Sequence, residues 1–190
     1  GYMRAMDEHA YVHADDLFDG HTYIKGAWIL HMLRVKLGDR LFKKAVHHYT
    51  KKHANGLVES EDLRQAFEEA SGFQLQSFFE QWVERAGHPD LAVSWEWDAK
   101  GNQVVLRVKQ QSERPYDIRV PVQVTGAFGE RNWLVHVHAK DQSRTLQLPS
   151  EPDMVSMDPD GTLLADIAFE KPDYEHMHQV KYGRSALSRR

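Results

Sequence analysis

The 190-residue sequence contains no cysteine, so neither a disulfide nor thiol chemistry is available to it. That absence fits a reducing compartment and does not exclude export, since many exported proteins lack disulfides. No run of about 18 apolar residues occurs, and so no stretch reads as a bilayer-spanning helix. Basic residues are not in excess, with 24 Lys and Arg against 28 Asp and Glu, a net charge of -4 and a pI near 6.3, so the electrostatic footprint of a nucleic-acid binder is missing. The chain opens Gly1-Tyr2-Met3-Arg4 without a charged-then-apolar leader, and a targeting segment is expected either upstream or not at all. Internal repeats and low-complexity segments are absent too. What is present is a soluble, globular composition, 41% hydrophobic and 11% aromatic, enough for a sizeable core in one or two domains.

The first half has helical periodicity. Residues 1–20 show little pattern, and Asp15-Asp16-Leu17-Phe18-Asp19-Gly20 reads as a loop. Its carboxylates invite a metal reading, but calcium loops need a longer, regular ligand spacing, so a solvated loop with Asp19 or Thr22 capping the next helix is the simpler account. From Ile24 to Leu37, the apolar residues Ile24, Ala27, Trp28, Ile29, Leu30, Met32, Leu33, Val35 and Leu37 cover most of a helical circumference, which predicts a helix nearly engulfed by its neighbours. Gly38 is placed to close it and Asp39 to cap a second helix carrying Leu41, Phe42, Ala45 and Tyr49 on one side, up to Asn55-Gly56. Ser60 is the expected cap of a third helix, with Leu63, Ala66, Phe67 and Ala70 inward. A fourth carries Leu75, Phe78, Phe79, Trp82 and Val83 as a broad core stripe before Gly87 and Pro89.

Near residue 90 the period changes to two. Leu91, Val93, Trp95 and Trp97 alternate with polar residues, and further runs follow around Val104–Val108, Ile118–Val124, Trp133–Val137, Leu146–Leu148, Val155–Met157 and Leu163–Phe169. Six or seven short strands separated by Gly, Pro, Asn and Asp turns predict a small antiparallel β-sandwich. Residues 171–190 carry a weak helical pattern in Val180, Tyr182, Ala186 and Leu187.

The run Tyr23-x-Lys25-Gly26-Ala27, continued by Leu30-His31-Met32-Leu33-Arg34, Leu37-Gly38-Asp39, Phe42, Tyr49, Asp62-Leu63, Ala66-Phe67, Ser71-Gly72, Phe78-Phe79, Gln81-Trp82 and Gly87-x-Pro89, resembles the zinc aminopeptidases typified by aminopeptidase N and leukotriene hydrolase, members of the gluzincin metallopeptidases. The resemblance covers roughly residues 15–168. It implies an α+β chain in two parts: an all-α helical subdomain, residues 1–89, forming the C-terminal end of a thermolysin-like catalytic domain, and a small antiparallel β-sandwich, residues 90–169. Residues 170–190 would then begin a helical-repeat domain.

The resemblance also implies that Tyr23 is catalytic, its phenol donating to the oxyanion that develops opposite a zinc ion. A neutral donor suits this role because a phenol stays protonated at neutral pH. Zn2+ is the implied cofactor, but its His-Glu-x-x-His motif is missing, since none of the twelve histidines is followed by Glu. The ligands, the general base and the motif gripping the substrate's free amine are therefore expected upstream of Gly1, and this fragment alone is expected to bind no zinc and cleave nothing. Implied partners are peptide substrates, the missing zinc-binding lobe and the C-terminal helical repeats, with no nucleic acid and no membrane span. A non-catalytic scaffold of the same fold, as in a subunit of the general transcription factor complex, is the alternative. A free-standing binding module built on the sandwich is a third reading and would predict an exposed aromatic patch.

Other candidates have plainer readings. His136-x-His138 points to one face of a strand and His176-x-His178 lies in the tail, but neither pair has a third ligand at obvious spacing. His47 and His48 diverge on a helix. His21 could face the cleft, although packing suits both His21 and His31 better. Lys25 reads as solvated or salt-bridged, and Gly26 as a point of close packing.

Overall fold

The computed structural model describes residues 4–7 and 12–170, and the chain falls into two compact units, residues 1–87 and 88–190. The weakly helical tail pattern of residues 171–190 lies outside the described residues.

The first unit is helical. A short 3-10 turn, Ala14–Leu17, precedes a π-helical turn, His21–Lys25, which runs directly into helix α1, Gly26–Lys52. Helix α2 spans Ser60–Ser71, and helix α3, Gln76–Phe79, continues as a second π-helical turn, Glu80–Glu84. Side chains from all three meet in one core of Ile29, Met32, Leu33, Leu37, Ala45, Ala66, Phe67, Leu75, Phe79 and Trp82. Phe42 packs edge-on against Phe67, ring centroids 5.8 Å apart.

Helix α1 is not engulfed. Lys25, Ile29, Leu33 and Leu37, spaced by four, form its buried stripe, whereas Ile24 is 64% and Val35 51% exposed, with Leu30 also open. The reason lies in the partners: among the described residues α2 packs along α1, while Ile24, Leu30 and Val35 stay open. At Gly38 the helix kinks with φ 74° and ψ 157°, a conformation essentially restricted to glycine, and then resumes at once. Asp39 does not cap the resumed helix. Its carboxylate takes Arg34 in a bidentate pair, Nε to Oδ1 2.6 Å and Nη2 to Oδ2 3.0 Å. The cap of α2 is Glu59 rather than Ser60, and the Glu59 N–H donates to Asp62 Oδ2 at 2.9 Å. Gly72 closes α2 in the left-handed region at φ 77°.

Among its described residues the second unit has seven strands: β1 Asp90–Asp98, β2 Gln103–Gln110, β3 Ile118–Gly126, β4 Gly129–Val137, β5 Asp141–Gln147, β6 Met154–Met157 and β7 Asp166–Glu170. They form a four-stranded sheet of order β5-β2-β1-β7 and a three-stranded sheet of order β4-β3-β6. The alternation read from sequence sets the facing: Leu91, Val93 and Trp95 of β1 and Val104, Leu106 and Val108 of β2 are buried, as are Val120, Val122 and Val124 of β3. Among these strands the pairings are antiparallel except one, because β7 runs parallel to β1, Leu91 opposite Ile167. The expected sandwich is thus antiparallel-rich rather than wholly antiparallel. Buried Gln110 stitches the loop after β2, its Nε2 donating to the Tyr116 carbonyl at 2.8 Å and its Oε1 accepting from the Tyr116 N–H at 2.9 Å.

Candidate active site

The π turn carries the candidate residue. Asp19 begins it: Asp19 Oδ1 accepts the Thr22 N–H at 3.0 Å, and the Tyr23 N–H reaches the Asp19 carbonyl at 3.3 Å. The Thr22 hydroxyl donates to the Leu17 carbonyl. Behind the turn lies Arg4, 5% exposed, whose guanidinium holds Asp19 in a fork, Nε to Oδ2 3.1 Å and Nη2 to Oδ1 2.7 Å, and also reaches Thr22 Oγ1 at 2.9 Å. Of the acidic loop, Asp19 is therefore a cap and an ion-pair partner. Asp15 is exposed and gives its carbonyl to the Phe18 N–H, and the side chain of Asp16 lies outside the described set.

Tyr23 is 61% exposed, its ring resting near Phe18 with centroids 6.2 Å apart, and among the described residues its hydroxyl takes no hydrogen-bond partner. A buried anchor with a satisfied hydroxyl is thus not its arrangement. It stands at the head of the outward face of α1, above Ala27, Leu30, His31 and Arg34, all exposed.

Two residues on, Lys25 turns the other way. It is 8% exposed, and its ammonium donates to the carbonyl of Arg85 at 3.0 Å, at the end of the Glu80–Glu84 turn. Burial first, and the nearby positive charge of Arg4 second, bring its pKa down to about 8. Lys25 is buried and, among the described residues, takes no carboxylate, and the spacing that signals its burial was present in the sequence: it lies four residues before Ile29 on the stripe that continues to Leu33 and Leu37. Arg4, in the patternless N-terminal stretch, had no such signal. Gly26 is not a point of enforced contact among the described residues, where an added Cβ would meet only the Met6 methyl at 3.4 Å.

The other described candidates lie on other segments of the chain. His31 packs edge-on against Trp28, centroids 5.6 Å apart, His48 pairs with Glu69 at 2.8 Å, and His47 is exposed. His136 and His138 do share a face, ring centroids 4.6 Å apart, with His136 Nε2 2.6 Å from Asp117 Oδ1. The side chain of His21, and His176 and His178, lie outside the described residues. Among the described residues no group of three His, Asp or Glu side chains is arranged to hold a metal ion. The described residues do not fit a zinc site.

An α+β chain whose helical half presents a tyrosine on a π turn is the class that these elements define. Residues 4–82 match the model of the Peptidase family M1 domain. Aminopeptidase N of Streptomyces lividans is 35% identical over 151 residues, 78% of this chain and 17% of its own length. The tricorn protease-interacting factor F2 of Thermoplasma volcanium is 37% identical over 94 residues, 50% of this chain and 12% of that protein. The crystal structure of Legionella pneumophila aminopeptidase A in complex with aspartic acid superposes with a TM-score of 0.82 at 22% identity, over 98% of this chain and 22% of that one. The chain belongs to the M1 family of zinc aminopeptidases. It spans less than a fifth of the length of these curated relatives.

Proposed function

We propose that this chain is the C-terminal helical part of the catalytic domain, residues 1–89, with the following β-sandwich, residues 90–169, of a zinc aminopeptidase that removes N-terminal residues from peptides. Tyr23 is its catalytic residue. Residues 170–190 open the helical-repeat domain, and the zinc ligands and general base belong to sequence outside these 190 residues, in keeping with the lack of a His-Glu-x-x-His run.

The observation that carries the reading is the outward stance of Tyr23. A tyrosine packed for stability buries its ring and satisfies its hydroxyl. This one does neither, while the turn beneath it is tied down through Arg4, Asp19 and Lys25. An O–H free of partners among the described residues, carried on an anchored turn, suits an oxyanion donor, which must point where negative charge develops on the carbonyl oxygen under attack. The exposed apolar side chains beside it, Ile24, Leu30 and Val35, suit coverage by the remainder of such an enzyme.

The deciding experiment is Tyr23→Phe in the intact enzyme. The expected outcome is a fall in kcat on the order of a hundredfold, about 3 kcal/mol of barrier, with KM little changed. Near-normal turnover in a folded variant would sink the reading.

A further inference from the structure

Tyr23 and Lys25 leave the same π turn in opposite directions, one into solvent and one into the protein. Among the described residues the inward member pairs with no carboxylate, the usual partner of a buried lysine. It reaches 60 residues along the chain to the carbonyl of Arg85 at 3.0 Å, the first extended residue after the Glu80–Glu84 turn, with φ -93° and ψ 135°. A helical C-terminus leaves carbonyls unsatisfied and carries partial negative charge, so an ammonium there is held by geometry and by field together. The N-terminal stretch meets the same end, Met6 N–H donating to the Val83 carbonyl at 2.8 Å. A π turn is an irregular and uncommon conformation that a helix keeps only when its surroundings hold it, and such turns recur at functional sites.

We propose that Lys25 is the positioning residue for Tyr23: tied to the Arg85 carbonyl, it holds the π turn at a fixed depth, so that the phenol stands at one height and direction. This rests on the reading of Tyr23 given above. Lys25 touches no substrate, and its whole effect passes through the tyrosine.

Lys44 supplies the control, because it makes the same kind of contact elsewhere in the unit, its ammonium donating to the Ala70 carbonyl near the end of α2 at 2.8 Å. In the intact enzyme, Lys25→Met, which keeps a long side chain without the donor, should lower kcat on the order of tenfold to a hundredfold and leave KM nearly unchanged, the scale of a catalytic group displaced by about an ångström. Lys25→Arg, which keeps a cationic donor, should recover most of the loss, and Lys44→Met should leave kcat unaltered. The double variant Lys25→Met with Tyr23→Phe should be no slower than Tyr23→Phe alone, since a residue acting through another contributes nothing once that other is gone. Additive losses, or an equal loss in Lys44→Met, would overturn the proposal while leaving the role of Tyr23 standing. A Tyr23→Phe enzyme with undiminished kcat would instead remove the catalytic reading, and this proposal with it.

Discussion

Arg4 and Asp19 meet as a forked ion pair in which the guanidinium is 95% buried and the carboxylate doubles as the cap of the turn bearing Tyr23. The pair does two things at once. It neutralises a buried cation, and it fixes the first residue of the turn.

Removing one partner of such a pair strands the other. Asp19→Ala should therefore destabilise the helical unit by about 2–4 kcal/mol, more than the loss of a cap alone, which is worth about 1 kcal/mol. Urea unfolding of the variant checks it. A change no larger than the cap would mean that Arg4 finds equal hydration elsewhere.

Lys25 makes stability depend on pH in a stated direction. Its folded pKa, about 8, lies below its ordinary 10.5, so between these values the unfolded chain holds more protons than the folded one. Stability therefore carries a penalty below pH 8 that is relieved as pH rises from about 8 to about 10.5. Urea midpoints measured across this window should rise more steeply for the native chain than for Lys25→Met, the difference cancelling the titration of the tyrosines. Parallel curves would show that Lys25 ionises as freely folded as unfolded.

The exposed position of Tyr23 predicts that it contributes little to folding. Tyr23→Phe and Tyr23→Ala should each alter stability by no more than about 0.5 kcal/mol, as surface substitutions do. Thermal melts of both variants test this, and a large loss in either would assign the ring a packing role.

Two glycines of the same helix should part company. Gly38→Ala forces a side chain into φ 74° and ψ 157° and should cost on the order of 1–3 kcal/mol. Among the described residues Gly26→Ala meets only a flexible methionine end, and it gains helix propensity, so it should be neutral or slightly stabilising. Equal effects on unfolding midpoints would refute the distinction.

The 190-residue chain by itself should retain no stoichiometric zinc after dialysis, because no three described ligands converge. Metal analysis gives the answer directly. Zinc-dependent release of an aminoacyl reporter by this chain would place ligands and base within it.

The division of labour between sequence and tertiary structure follows the range of the forces involved. Local regularities were legible along the chain: the change of period near residue 90, the alternation that buries Val120, Val122 and Val124, and the glycine that ends α2. So was the run from Tyr23 to Gly26, whose residue types carry the family resemblance. Which side of α1 faces inward was not settled by an apolar pattern spread around its circumference, since burial depends on which partners the unit supplies, and those come from residues 60–84. The parallel seat of β7 depends on a strand 76 positions earlier, Leu91 opposite Ile167, and the cap on α2 fell one residue early because two neighbouring polar residues competed for it. Above all, only the tertiary structure could join Arg4 to Asp19 and Lys25 to the Arg85 carbonyl: hydrogen bonds between residues 15 and 60 positions apart leave no periodicity in a sequence, because they answer to distance in space alone.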